Sequence, residues 1–193
     1  MSRGYFSTKL NTVKDPDLLV MDKFMFGKPI KAKDSEKILW TKQNVSTFPD
    51  LWCSNLKFEH LQRISEGNTQ QSEYVWPEVK LIEWTSFSGE MLKGMLYTPE
   101  NLDENKKYPM IVYFYERNSE LLYRHQHPYP SHSTINKTFY TSNGYVVFLP
   151  DITYKTGYPG QSAYNAIVSG TQFIINKYPF VNKDKIGLQG QSW

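Results

Sequence analysis

The sequence predicts an α/β chain: a strand meander over residues 1–76, then a mostly parallel sheet with flanking helices over residues 77–193. Three observations carry this. Two continuous apolar runs, at 110–114 and 145–149, have the length and composition of strands buried on both faces. Ala163, Ile167, Gly170 and Ile174 then recur at helical spacing. A third strand-like run, at 185–188, closes the series. Strand, helix, strand, helix, strand at these lengths is a βαβ pattern, which builds a parallel sheet with helices on both faces.

Composition narrows the classes. Of 193 residues, 39% are hydrophobic and 16% aromatic, which marks a packed, β-rich chain and excludes disorder. Lys and Arg number 22 against 19 Asp and Glu, a net charge of +3 that is too small and too dispersed for a nucleic-acid footprint. The densest basic stretch, 28–37, is interrupted by Asp34 and Glu36. Cys53 is the single cysteine, so an internal disulfide is excluded, and a strand-like setting makes it a small buried hydrophobe. No stretch approaches the ~20 apolar residues of a membrane span, and residues 1–10 lack the apolar core of a signal peptide. Compartment and oligomeric state stay open.

The elements follow in order. Residues 38–40, 51–53 and 56–58 read as short strands, with turns at 44–46 and 66–68. Strands at intervals of about ten residues suggest a meander from a larger all-β unit. They are too few to close a barrel or a propeller. Residues 79–85 and 91–97 form a hairpin around Ser88-Gly89. Residues 99–107 are a polar loop. After the strand at 110–114 comes a loop rich in Pro, His and Tyr, then a short helix at 134–142 stopped by Gly144. Ser162 serves as the N-cap of the next helix, and Pro179 lies beyond its end. Trp40, Trp76 and Trp84 read as core packing.

The segment with the strongest chemical signal is the last. Ile186-Gly187-Leu188-Gln189 is an apolar strand, and Gly190-Gln191-Ser192-Trp193 fills four of the five positions of G-x-S-x-G. In that turn a serine sits on a sharp strand-to-helix bend, exposed for attack, and the glycine two residues earlier gives room for the bend. A G-x-S in a loop means little. Here it follows the third strand of a βαβ series, the context the motif requires, and the fold that supplies it is an α/β-hydrolase.

Several segments together resemble the prolyl oligopeptidase family of serine peptidases. Residues 84–97, with Ser88-Gly89 at the turn, are similar to its entry hairpin. Tyr108-Pro109 before an apolar strand ending in Tyr115 is similar to its "K-Y-P-x-I-V-x-x-Y" strand. Asn143-Gly144-Tyr145-Val146-Val147, Gly157-Tyr158-Pro159-Gly160 and the final serine turn complete the likeness, which covers residues 77–193 well and the earlier part loosely. The resemblance implies a β-propeller capping an α/β-hydrolase domain. Residues 1–76 would be the last propeller strands and the crossover. Residues 77–193 would be an incomplete hydrolase domain, cut after its nucleophile.

The resemblance also implies roles. Ser192 matches the nucleophile, the backbone N–H of Trp193 one oxyanion donor, and the Tyr115 hydroxyl the other. The substrate would be a peptide, with no metal, cofactor, nucleic acid or membrane involved. In the α/β-hydrolase order, the acid and the histidine follow the serine. His60, His125, His127 and His132 all precede Ser192, so none is a good triad candidate and the chain alone is expected to be inactive. Two departures touch substrate preference: Glu116-Arg117 after the tyrosine, where the family has small residues, and Asp151-Ile152-Thr153, where many members have Arg-Gly.

His125, His127 and His132 form H-x-H-x4-H near Glu120, but without a rigid helix or a cysteine partner the stretch reads as a solvated loop. Gly157–Gly160 lacks the lysine and spacing of a phosphate loop. An esterase or lipase of the same fold, or a hydrolase scaffold that only binds, are the competing functions.

Overall fold

A computed structural model describes residues 3–11 and 13–192. The chain divides into two units, Met1–Tyr74 with Tyr123–His125, and Val75–Leu122 with Gln126–Trp193.

The first unit is built of antiparallel strands. β1 (Arg3–Ser7) pairs with β2 (Asp17–Asp22) across a bulge between Tyr5 and Phe6. A second sheet contains β3 (Met25–Phe26), β4 (Ile30–Lys31), β5 (Lys37–Asn44), β6 (Thr47–Asn55) and β7 (Gln62–Arg63). Its order is β3-β5-β6-β7, with β4 also paired to β5. Ile38, Trp40 and Phe58 form the buried centre, with Tyr5, Phe26 and Trp52 packed around it. The Trp40 indole N–H donates to Ser54 Oγ at 3.1 Å, so the large ring is buried without an orphan donor.

Residues 56–58 are not the strand that their apolar spacing predicts. Asn55 Oδ1 accepts from the backbone N–H groups of Lys57 and Glu59 at 3.0 and 2.9 Å, and Phe58 takes a φ of 57°. The side chain of Asn55 supplies the turn that ends β6, and the left-handed Phe58 swings its ring into the core against Tyr5. Cys53, expected to be buried, is only partly so.

One carboxylate organises the β6–β7 end. Asp50 is 3% exposed. Its Oδ2 accepts from Arg63 Nε and Nη2 at 3.0 and 2.5 Å, and its Oδ1 accepts from the Ser65 hydroxyl and the Gly67 N–H, both at 2.8 Å. Burial pushes its pKa up, but the Gly67 N–H, the Ser65 hydroxyl and the Arg63 guanidinium together outweigh burial and hold it below the usual carboxylate range. A depressed carboxylate contributes stability above its unfolded pKa and loses it as pH falls through the folded one. Melting followed down through about pH 4 is therefore expected to show a loss of stability that Asp50→Asn flattens. The same acid limb in both proteins would exclude this role.

The second unit centres on one mixed sheet. Its strands are β8 (Pro77–Thr85), β9 (Met91–Pro99), β10 (Tyr108–Phe114), β11 (Val146–Pro150) and β12 (Val181–Gly190), in the order β12-β10-β11-β9-β8. β10 runs parallel to both β11 and β12, whereas β11–β9 and β9–β8 are antiparallel. The expectation of a mostly parallel sheet is corrected here. The hairpin supplies its antiparallel half: β9 is buried along nearly its whole length and serves as an interior strand between β8 and β11. Gly89, with φ +83°, makes the hairpin turn.

Two helices cover this sheet. α1 (Lys137–Ser142) is capped by Asn136, whose Oδ1 accepts from the Phe139 N–H at 2.9 Å. α2 (Pro159–Lys177) starts three residues before the expected cap: Pro159 occupies its first turn, and the Ser162 hydroxyl donates back to Tyr158 O. Going from β10 to β11 and from β11 to β12, the chain crosses the sheet in opposite directions. Right-handed crossovers then place α1 and α2 on opposite faces. A methyl group on Gly170 of α2 would lie 2.7 Å from the Trp84 ring and 3.0 Å from that of Phe148, so only glycine permits that approach. Val147 and Leu149 alternate to the other face. Trp84 donates its indole N–H to Ser169 Oγ at 2.9 Å inside the α2-side core. Among the described residues β12 is an edge strand, with Leu188 exposed.

Candidate active site

The site is set by the parallel pairing of β10 with β12. Their ladder runs from Met110 opposite Ile186 to Phe114 opposite Gly190, in register residue by residue. Neighbouring strands lie about 4.8 Å apart. The residues that leave the two carboxyl ends, Tyr115 after Phe114 and Gln191-Ser192 after Gly190, therefore emerge side by side at one edge. Open parallel sheets bind ligands at that edge, outside the carboxyl ends of the strands.

Gly190 lets the Phe114 ring lie close over the end of β12. A Cβ there would sit 2.6 and 2.7 Å from ring atoms of Phe114, its own partner in the ladder, so a side chain at 190 would displace that ring. Two residues on, Ser192 is exposed and takes a φ of +63°. Left-handed backbone costs a residue with a Cβ about 1–2 kcal/mol. Such strained positions are held by their surroundings and cluster where a side chain must be aimed. Trp193, the residue proposed to offer its N–H, lies outside the described residues.

Tyr115 is 39% exposed, just past the last ladder pair. Its backbone is held from across the sheet by the segment after β11. Tyr115 O accepts from the Tyr154 hydroxyl at 3.0 Å, and Glu116 O accepts from the Ile152 N–H at 2.8 Å. Asp151 Oδ1 accepts from the N–H groups of Asn118 and Ser119 at 2.7 and 3.0 Å, and Oδ2 accepts from the Ser119 hydroxyl. Burial raises the Tyr154 phenol pKa above its ordinary value, and the Glu116 carboxylate and Tyr115 add to this. The sequence marks 116–117 and 151–153 separately as departures from a pattern. Their mutual contact spans more than thirty positions and leaves no local signal.

His125 packs edge-on against Phe48, with Nδ1 3.2 Å from Val45 O, and His127 lies against Tyr129. Among the described residues, no three His, Cys, Asp or Glu side chains converge as a metal-binding group. No helix of the described residues is long and apolar enough to cross a membrane. A cavity of about 440 Å³ is lined by Tyr154 with its neighbours Thr153 and Lys155, by Ser88, Glu90 and Leu92, and by the first turns of α2; neither Tyr115 nor Ser192 lines it.

No protein-family model matches the chain. Dipeptidyl peptidase 8 of Homo sapiens is 29% identical over 135 residues, 63% of this chain and 14% of the relative; its Mus musculus counterpart matches to the same extent. Among solved structures, a post-proline cleaving enzyme from Rickettsia typhi superposes with a TM-score of 0.62 at 18% identity, covering 95% of this chain and 27% of that one. Dipeptidyl peptidase 4 of Porphyromonas gingivalis gives 0.61 at 19% identity, covering 91% and 26%. The chain thus spans about a quarter of the solved structures and about a seventh of the curated relatives. In fold the chain is similar to these solved peptidases, and over 135 residues its sequence is similar to dipeptidyl peptidase 8.

Proposed function

We propose that this chain carries the nucleophile and the oxyanion donors of a serine peptidase that hydrolyses short peptides through an acyl-enzyme. On this reading the second unit is the N-terminal part of an α/β-hydrolase domain, and the first unit is the end of a β-propeller with its crossover. The observation that carries the proposal is the left-handed, exposed Ser192 at the carboxyl end of β12, with Tyr115 leaving the end of the adjacent parallel strand.

The chemistry follows from those positions. Ser192 Oγ attacks the scissile carbonyl carbon while a histidine base takes its proton. The carbonyl oxygen gains a negative charge as the tetrahedral intermediate forms. The Tyr115 hydroxyl and the Trp193 N–H donate hydrogen bonds to that oxygen, where preoriented dipoles lower the barrier most. Collapse expels the amine, which takes the proton from the histidine. Water then repeats the sequence and releases the acid. The base and its orienting carboxylate belong, on this reading, to residues outside the 193. The histidines within it all precede the serine, against the order of the fold.

The test is covalent labelling. In the active polypeptide that carries this sequence, a fluorophosphonate probe is expected to mark Ser192 and to fail on Ser192→Ala. Labelling confined to another serine would overturn the assignment. Residues 1–193 prepared alone are expected neither to react nor to hydrolyse peptides. Hydrolysis by that purified piece, lost in Ser192→Ala, would refute the absence of a base.

A further inference from the structure

We infer that Asp151 is a positioning residue for the reaction, holding the Tyr115 hydroxyl where the oxyanion forms by anchoring the loop that follows it. The inference rests on the reading of Tyr115 as an oxyanion donor.

Tyr115 has already left the sheet, and the last ladder pair is Phe114 opposite Gly190. An exposed residue past a strand end has no ladder to fix it, yet an oxyanion donor must be placed before the charge develops. The segment after β11 supplies what the ladder does not. Asp151 is 3% exposed and receives three hydrogen bonds from Asn118 and Ser119, two of them backbone N–H groups. A carboxylate accepting backbone N–H bonds out of water makes strong, directional contacts. Asp151 is itself fixed: its N–H donates to Lys93 O at 2.9 Å, and Pro150 pairs with Gly94 of β9. Position is therefore passed from the interior of the sheet through Asp151 to residues 118–119, and so to Tyr115. Ile152 and Tyr154 add one bond each, to Glu116 O and Tyr115 O. A loop with bulky charged residues at 116–117 needs such an external anchor.

The experiment is a double-mutant cycle in the active polypeptide. Asp151→Ala is expected to lower kcat about tenfold with KM changed less than about threefold. Asp151→Asn keeps an acceptor oxygen for both N–H groups and is expected to recover most of that loss. In a Tyr115→Phe background, Asp151→Ala is expected to cost less than about twofold, because the hydroxyl it places is already gone. Amide exchange at 116–119 should rise in Asp151→Ala and not in Asp151→Asn. An undiminished tenfold loss in the Tyr115→Phe background would overturn the proposal, since a general packing defect is indifferent to the phenol. A Tyr115→Phe enzyme of full activity would overturn the oxyanion reading instead, and this inference with it. Should Asp151→Ala fail to fold, Ser119→Ala and Tyr154→Phe each remove one bond of the same anchor and are expected to show the same dependence on Tyr115.

Discussion

Alanine in place of Ser192 is expected to lower kcat for peptide hydrolysis by about 10⁴-fold or more, with KM little changed. That is about 5.5 kcal/mol of transition-state stabilisation at 1.4 kcal/mol per factor of ten. The size follows from the role: without Oγ no acyl-enzyme forms, and the remaining rate is what oxyanion donors and binding give to a water attack. The backbone provides an independent control. Ser192 sits at φ +63°, and alanine inherits the strain of that conformation. Glycine adopts it freely. Ser192→Gly is therefore expected to be as inactive as Ser192→Ala but more stable by about 1 kcal/mol. Equal stability of the two variants would argue against a strained turn, and residual activity within tenfold of the unaltered enzyme would remove Ser192 from the mechanism.

Tyr115→Phe is expected to cost about 10²–10³ in kcat, the usual loss for one oxyanion donor, or about 2.7–4 kcal/mol. In the proposed role the hydroxyl is engaged only once the carbonyl oxygen carries charge, so the loss belongs in kcat. A rise in KM with kcat intact would mean uniform binding of substrate and transition state. Tyr115 is 39% exposed and phenylalanine keeps its ring, so the variant should melt with the unaltered protein. A kcat within threefold would leave the second donor unassigned.

Much of this arrangement was legible in the residues, and the illegible parts share a cause. Met110 to Phe114 and Val146 to Leu149 read as buried strands because every side chain along them is apolar, and both pair where that predicts. The sequence reading at 190–192 rested on Gly190-Gln191-Ser192 following a third strand-like run, and β12 does end at Gly190, two residues before Ser192. Local spacing failed wherever a polar side chain competes with the repeat. Asn55 takes two backbone N–H groups and turns 56–58 out of a strand. Ser162 looked like a cap, yet Pro159 starts α2 earlier. The mixed character of the sheet was hidden because a hairpin carries no mark of which strand it will join. Asp151 read only as part of a departure touching substrate preference, since its partners lie more than thirty positions upstream.

The strand order also dictates a sequence of events in time. β8 and β9 are joined by a tight turn and can pair as soon as both exist, whereas β12 must reach past everything from 115 to 180 to lie beside β10. Closing so long a loop carries its entropic cost before any contact rewards it, so pairings of this kind form late and slowly. Of the described strands of this unit, β12 is therefore expected to be set in place last, and the proposed nucleophile at its end is positioned only after β10 and β11 have paired.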